Sequence, residues 1–500
     1  MRWRIACLIP ALVVFITHFL SAPRSLHEDE IYWIGSSYYY QLAVIERDAS
    51  NTDWQLLPAR ENPALGKYVL GAALELAGQP VTTPDLLGSF YLMFADIPGA
   101  WGSDEAFEKR LAVAMRVDPS LQDAVRNRRG LPWGESQLSI ARNTTLLFGM
   151  LAAIGIAILG QQCNWKAGGV IAGILFALHP VVSGAYSLAM IDIIAIAFSI
   201  WFMVGLVAIL RLPENTRLPE HTRLPEHTNP SGNPRPQTSN RGNTRPSSAH
   251  SAPASSVQKT LSFLSRSSLQ RISLTLFTAI MLALACGTKM NSLVVAATAA
   301  ACGSWCLLQS FKHRIGKKIP ARDSEVPHND PRGPANADPE ALNARVWMLC
   351  AAALLAVILF IGTNPTLYGD PVDGVLALSY EHALTADIQE QIIGGRLSTV
   401  SERIQALAAL VCHGPWTFIG ICLTVVWTAY DCVRKQTIGI ILVLWWAVAL
   451  LLLMIWLPFE WDRYALPLIP PTMLILGATA ESTGGYVWSK ITRSKDTVVS

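Results

Sequence analysis

Three consecutive carboxylates follow the first apolar run of the sequence. They belong to the segment His27-Glu28-Asp29-Glu30. Neighbouring carboxylates repel one another, so each raises the pKa of the others unless a cation relieves the crowding. Asp29 or Glu30 could act as a general base on an acceptor hydroxyl, and Glu28 and Glu30 could ligate a divalent cation together with His27. A solvated cap at a helix end explains the same residues, and the charge pattern alone does not separate these interpretations.

A second motif lies further along the same polar segment. It runs Glu61-Asn62-Pro63-Ala64-Leu65-Gly66-Lys67, and an amphipathic stretch over 65–76 follows. Asn-Pro interrupts the chain, so Lys67 is expected near the start of a helix, where free N–H groups favour a phosphate. An interfacial helix whose lysine reaches up to the lipid headgroups would have the same spacing.

Further charged residues stand at the expected ends of apolar helices. Asp192 opens one apolar run, Lys289 lies between two others, and Arg463-Tyr464 precede the last one. Ionisable groups at membrane depth are costly, which makes them candidates for function. Because all of them fall on the same side as the carboxylates, one shared cavity is the expected arrangement.

Long apolar runs position these residues. The chain has 500 residues, of which 51% are hydrophobic and 15% are charged, whereas soluble domains carry about 25% charged residues. The runs predict an all-α polytopic membrane protein with about ten transmembrane helices. The predicted helices cover 5–20, 143–160, 168–182, 191–210, 272–286, 292–308, 346–362, 416–430, 438–456 and 465–480. The first is expected to be an uncleaved helix rather than a signal peptide, and the fifth is short for a full crossing.

Basic residues near the helix ends predict the orientation. Lys and Arg cluster in 211–271, 312–345, 434–435 and 490–495, which all fall on one side if the helices alternate. That side is cytoplasmic by the positive-inside tendency. Segment 21–139 then forms a large first extracytoplasmic loop, and segment 363–411 lies on the same face. We therefore expect a multi-pass protein of a plasma or inner membrane, with its chemistry on the extracytoplasmic face.

The same pattern divides the chain into modules. An N-terminal transmembrane module covers 1–210, a helix pair covers 272–309, and further transmembrane helices cover 346–480, before a cytoplasmic tail over 481–500. Two cytoplasmic linkers, 211–271 and 310–345, separate the modules. The first is expected to be disordered, because its Pro-rich hexapeptide repeats offer almost nothing apolar to bury.

Cysteine content and net charge narrow the possible partners. The nine cysteines are scattered, mostly within apolar runs, so they are expected to be small buried hydrophobes rather than a disulfide framework or metal site. The net charge of +3 indicates no nucleic-acid partner. Membrane lipids are the partners that the apolar runs do predict.

The order of the motifs resembles that of a known group of enzymes. The chain is similar to the polyprenyl-phosphate-dependent glycosyltransferases of the GT-C superfamily, and within it to glycosyltransferase family 39, which includes protein O-mannosyltransferases and lipid A aminoarabinose transferases. The resemblance covers nearly the whole chain apart from the linkers and residues 80–134. It is carried by Asp29-Glu30, the motif over 61–67, Arg142, His179-Pro180 followed by Asp192, Gly287-Thr288-Lys289, and Arg463-Tyr464.

The resemblance implies a function and roles for these residues. The protein would move a sugar from a polyprenyl phosphate to a hydroxyl acceptor on a protein, lipid or glycan, with inversion at the anomeric carbon. Asp29 and Glu30 match the acidic pair of the family, which supplies the base or orients the acceptor. Lys67 and Arg463 match residues that contact the lipid phosphate. Glu61, Asp192, Lys289 and Tyr464 are expected to complete the substrate site, and a divalent cation is possible.

Two other classes of function remain open at this stage. A transporter or lipid flippase would also place charged residues in a cavity, although the halves of the sequence show no inverted repeat. A non-catalytic relative that only binds lipid is the third possibility. The feature that discriminates is whether Asp29 and Glu30 converge with Lys67 and Arg463 on one outward-facing pocket.

Overall fold

The described part of the chain is mostly helical. The computed structural model describes residues 2–21, 24, 26–55, 57–60, 62–82, 133–212, 266–289, 292–304, 339–380, 390, 395–435 and 437–499, and these contain no β-strand. Most of the predicted linkers 211–271 and 310–345, and the middle of the predicted outer loop, lie outside these ranges. Glu61 and the side chain of Glu28 are also not among the parts of the chain that the structure describes.

Sixteen helices carry labels below. They are α1 (Arg2–Ala6), α2 (Ile9–Leu20), α3 (Glu28–Ser36), α4 (Leu65–Leu76), α5 (Glu135–Gln162), α6 (Lys166–Leu178), α7 (Pro180–Ser187), α8 (Ile191–Leu210), α9 (Arg266–Thr288), α10 (Leu293–Ser304), α11 (Pro339–Gly362), α12 (Val400–Cys412), α13 (Pro415–Arg434), α14 (Ile440–Trp456), α15 (Asp462–Ala465) and α16 (Ile469–Val499). A further helix covers 371–380, and short helical turns occur between α3 and α4.

Five of these helices are long and apolar enough to cross a membrane. They lie in α5, α8, α9, α11 and α13. The pair α6–α7 passes the same test jointly but is bent by 66°, and the apolar helices α2, α10 and α14 are shorter. These helices are compatible with a membrane protein.

Several predicted helices differ from the observed ones: the helix predicted over 5–20 is divided into α1 and α2, and the helix predicted over 143–160 begins earlier, at Glu135. The helix predicted over 168–182 is broken, because Pro180 has no N–H to donate and disfavours helical backbone at His179, which is extended. The helix predicted over 272–286 is longer in the structure, where α9 extends from Arg266 to Thr288. Its part Ser268–Thr288 is long and apolar enough for a full crossing. The polar segment predicted over 363–411 also contains most of α12.

Helix α8 lies at the centre of the bundle. It is apolar on all sides, as expected for a helix surrounded by others, and 78% of its most apolar stretch is buried. It packs against α5 and α9, while α5 also packs against α2 and α6, and α6 packs against α16. A Cβ at Gly168 in α6 would lie 2.6 Å from the carbonyl oxygen of Gly477 in α16, so small residues allow these two backbones to touch.

One end of the bundle gathers the helix ends that carry charge. The C-terminal ends of α2 and α9 lie there with the first turns of α5 and α8, and with α15 just before α16. Helices α3 and α4 pack across this end. A Cβ at Gly66 of α4 would meet Ile191 at the start of α8 and Thr288 at the end of α9, at about 3 Å. This charged end holds the candidate site.

Candidate active site

A capping box separates the two neighbouring carboxylates. The ring of His27 accepts a hydrogen bond from the backbone N–H of Asp29 at 3.1 Å, and the backbone N–H of His27 donates to Glu30 at 2.9 Å. Both contacts hold the first turn of α3 in place. Successive residues of a helix point in different directions, so Asp29 and Glu30 face different surroundings.

Glu30 is fully buried and bonded to structural donors. Arg142 of α5 donates to both of its carboxylate oxygens, at 2.7 Å each, and the backbone N–H of Ala189 donates to one of them at 2.8 Å. With the contact to His27, the carboxylate accepts four hydrogen bonds. Glu30 therefore joins α3, α5 and the segment before α8. It lines neither of the two cavities that lie at this end of the bundle beside Arg463.

Asp29 points instead to a cavity and to Arg463. Its Oδ2 lies 2.5 Å from Nη1 of Arg463, which stands on α15 at the far end of the sequence. The Arg463 guanidinium lies over the ring of Trp461 at 4.5 Å from its centre and near the ring of Tyr464 at 5.6 Å. Trp461 and Tyr464 are stacked with centres 5.8 Å apart. Cation–π contact therefore holds the guanidinium in addition to the ion pair with Asp29.

The cavity beside this ion pair has a volume of about 390 Å³. Its wall combines charged side chains with the apolar face of α7, and it carries both signs of charge. The lining residues are Arg24, His27, Asp29, Val181, Gly184, Ala185, Leu188, Met190, Glu460, Trp461, Asp462, Arg463 and Leu466. A space of this size and polarity suits a small polar headgroup.

The ion pair shifts both of its members toward the charged form. Burial raises the pKa of Asp29, but the positive charge and the hydrogen bond of Arg463, with smaller contributions from neighbouring groups, together lower that pKa by more, so it lies below the ordinary aspartate value. Burial lowers the pKa of Arg463, but the charge and hydrogen bond of Asp29, together with Tyr464 and Asp192, raise it by more, so that pKa is raised. Asp29 is therefore an anion held by a cation in this structure.

A second ion pair lies directly behind Arg463. Lys289, after α9, donates to Oδ1 of Asp192 in the first turn of α8, and both side chains are buried. Oδ2 of Asp192 has no hydrogen-bond partner among the described residues. Asp192 and Arg463 both line a small cavity of about 20 Å³, which has room for one water molecule. Arg463 therefore contacts Asp29 and shares this small cavity with Asp192.

Lys67 does not lie on either cavity. The Lys67 side chain is fully buried (0% exposed). Its amine donates to the backbone oxygens of Asn62 at 2.7 Å, of Ala59 at 3.4 Å and of Pro58. The predicted phosphate contact of Lys67 is thus not the contact that the structure shows. Its amine closes the turn that precedes α4, because a buried ammonium must find hydrogen-bond acceptors.

Replacing Lys67 by Met is expected to destabilise the protein by about 1–3 kcal/mol, because three buried carbonyls lose their donor. Lys435→Met is a matched control, since Lys435 is exposed and pairs with Asp431 one helical turn away, an interaction worth about 0.5 kcal/mol. Thermal unfolding in detergent measures both. If Lys67→Met has the same melting temperature as Lys435→Met but no longer binds a prenyl phosphate, the predicted phosphate contact of Lys67 would be supported instead.

The described residues show no metal centre. No group of three or more His, Cys, Asp or Glu side chains among them is arranged to hold an ion. In the predicted trio, Glu30 is occupied by Arg142 and His27 caps α3, while the side chain of Glu28 lies outside the description. Glu61 lies outside it as well.

The structure adds residues that motif spacing did not assign to the site. Arg142, noted only as a family motif, is the partner of Glu30, and Trp461 and Arg24 line the cavity. An arginine in the first turns of a long apolar helix is costly without a partner, so the sequence contained a signal for Arg142. Comparison with family models, curated proteins and solved structures found no match.

Proposed function

We propose that the protein is a membrane glycosyltransferase that moves a sugar from a polyprenyl phosphate to a hydroxyl acceptor on the extracytoplasmic face. The observation that carries this proposal is the convergence of Asp29 and Arg463 on one polar cavity. Glycosyl transfer from a lipid phosphate needs a carboxylate to accept a proton and a cation to stabilise the leaving phosphate. These two groups come from opposite ends of the chain and meet at the same cavity.

In the proposed reaction, the oxygen of the acceptor hydroxyl forms a bond to the anomeric carbon of the sugar. The bond from that carbon to the phosphate oxygen breaks, and its electron pair leaves with the phosphate. Asp29 receives the hydroxyl proton, and Arg463 pairs with the phosphate, as a planar guanidinium does well. Displacement from the side opposite the phosphate inverts the anomeric centre.

Other residues would support these two groups rather than take part directly. Glu30 positions Asp29 by fixing the first turn of α3 against Arg142. The Asp192–Lys289 pair lines the small cavity beside Arg463 and carries no net charge, so the positive charge for the phosphate comes from Arg463. Tyr464 is buried and borders the guanidinium, so it helps to orient Arg463.

The proposed topology has about ten crossings. The broken pair α6–α7 counts as one of them, and the others are α2, α5, α8, α9, α10, α11, α13, α14 and α16. Alternation through these helices places the cavity on the face opposite the basic segments 211–271 and 312–345. The positive-inside tendency makes that face extracytoplasmic, where a prenyl chain stays among the helices while its phosphate reaches the cavity.

A transfer assay tests this proposal. Membranes containing the full chain are incubated with a panel of polyprenyl phosphates that carry labelled sugars, beside membranes with Arg463→Gln. We expect label to move into a non-lipid or lipid acceptor only with the unchanged chain, because Arg463 stabilises the departing phosphate. Equal transfer by both membranes would contradict the proposed role of the cavity.

A further inference from the structure

The ion pair at the cavity leaves neither partner ready for its proposed role. A carboxylate held by a guanidinium accepts a proton less readily, and a guanidinium neutralised by a carboxylate attracts a phosphate less strongly. Asp29 and Arg463 are nonetheless in direct contact. Some exchange of partners must therefore precede the reaction.

The geometry of the pair favours such an exchange. The contact joins one nitrogen of Arg463 to one oxygen of Asp29, whereas Arg142 holds Glu30 through two parallel hydrogen bonds. Single contacts are weaker than paired ones. The side chains of Asp29 and Arg463 are 22% and 17% exposed, while that of Glu30 is 0% exposed. A ligand in the cavity can reach the first pair and not the second.

Arg463 would keep its place if Asp29 moved away. Its guanidinium rests on Trp461, and Trp461 itself stacks on Phe459, with ring centres 4.8 Å apart. The cavity is also lined by Arg24 and by two acidic residues, Glu460 and Asp462. The phosphodiester of a prenyl-phosphate sugar carries one negative charge shared by two acceptor oxygens, both of which a guanidinium can bind, so it competes with a carboxylate that is held by a single contact.

We propose that the Asp29–Arg463 ion pair is a latch that a phosphate opens: the headgroup of a prenyl phosphate entering the cavity takes over Arg463 and releases the Asp29 carboxylate to receive the acceptor proton. This inference rests on the proposed function. It implies that the lipid phosphate binds before the acceptor is activated, so a base exists only when a donor is present. Departure of the phosphate restores the ion pair. The lowered pKa of Asp29 in the closed pair agrees with this order.

Binding of geranyl phosphate to the full chain in detergent tests the latch. Calorimetry is performed on the unchanged protein and on Asp29→Asn, with uncharged geraniol as the control for the prenyl chain. Removing the internal competitor is expected to tighten phosphate binding by about fivefold. Arg463→Gln is expected to abolish the difference between geranyl phosphate and geraniol.

Glu460→Gln is the matched control, because it removes one negative charge from the same cavity. It is expected to tighten binding by less than about twofold, as a charge change without a direct contact would. Asp29→Asn binding that is no tighter than Glu460→Gln binding would overturn the latch. Asp29→Ser serves as a second variant, with the same tightening expected and the same result overturning the proposal.

The outcome separates the latch from the proposed function, because the binding measurement involves neither sugar nor acceptor. Tighter binding by Asp29→Asn without any sugar transfer by the unchanged chain would support the latch and contradict the enzyme. Sugar transfer without tighter binding would support the enzyme and contradict the latch.

Discussion

The Asp29→Asn protein is expected to transfer sugar at least about a hundredfold more slowly than the unchanged chain, because a positioned general base contributes about 10²–10⁴-fold. Asparagine keeps the shape of the side chain but has no basic carboxylate. The substitution removes one partly exposed ion pair and leaves the buried contacts of Glu30 intact. Turnover should therefore fall while the melting temperature changes little.

Initial rates at saturating donor, measured together with thermal unfolding, check this expectation. Asp462→Asn is the matched control, because Asp462 lines the same cavity, whereas the ion pair of Arg463 is formed with Asp29. Unchanged turnover in an Asp29→Asn, Glu30→Gln double variant would exclude both carboxylates as the base. Equal losses in Asp29→Asn and Asp462→Asn would remove the special role of Asp29.

Glu30→Gln is expected to damage the fold. It leaves Arg142 without its carboxylate partner, at a site where Glu30 is 0% exposed and accepts four hydrogen bonds, whereas Asp29 is 22% exposed. Removing one member of a buried ion pair costs about 3–5 kcal/mol. We expect Glu30→Gln to lower the melting temperature strongly and to reduce the amount of protein in the membrane. Asp29→Asn is the same kind of change, a carboxylate to an amide, but it is expected to change the melting temperature little.

A double variant distinguishes a broken ion pair from a general defect. Arg142→Gln combined with Glu30→Gln removes both charges, so part of the lost stability should return. The measurements are melting temperatures of the two single variants, the double variant and the unchanged chain. A Glu30→Gln protein that melts normally but has lost transfer as fully as Asp29→Asn would make Glu30 the base and Asp29 its neighbour.

Sequence patterns predicted the helical class and much of the helix placement. The amphipathic stretch 65–76 coincides with α4, because Pro63 ends the preceding chain and the apolar spacing continues for the whole helix. The sequence also contains a signal for the break at His179 and Pro180, since a proline inside an apolar run rarely permits a continuous helix. Hydropathy alone predicts one helix over 168–182, whereas α6 and α7 are two separate helices.

The site was predicted as a set of residues on one face, but not as a set of contacts. Asp29 and Arg463 were both placed there, yet their pairing depends on how α3 and α15 pack. The acidic run gave no sign that Glu30 turns inward to Arg142 while Asp29 faces the cavity. Lys67 was assigned from helix-start chemistry, whereas the turn over 58–62 folds its carbonyls onto the amine.

A doubly labelled donor provides the most direct test of glycosyl transfer at this cavity. The purified chain is reconstituted in vesicles with a polyprenyl phosphate that carries one label in the sugar and another in the prenyl chain. We expect the sugar label to leave the lipid for a hydroxyl acceptor while the prenyl label stays as free polyprenyl phosphate, and Asp29→Asn to suppress this separation by about a hundredfold. Movement of both labels together across the bilayer, with no separation in any donor of the panel, would identify a transporter and contradict the enzyme.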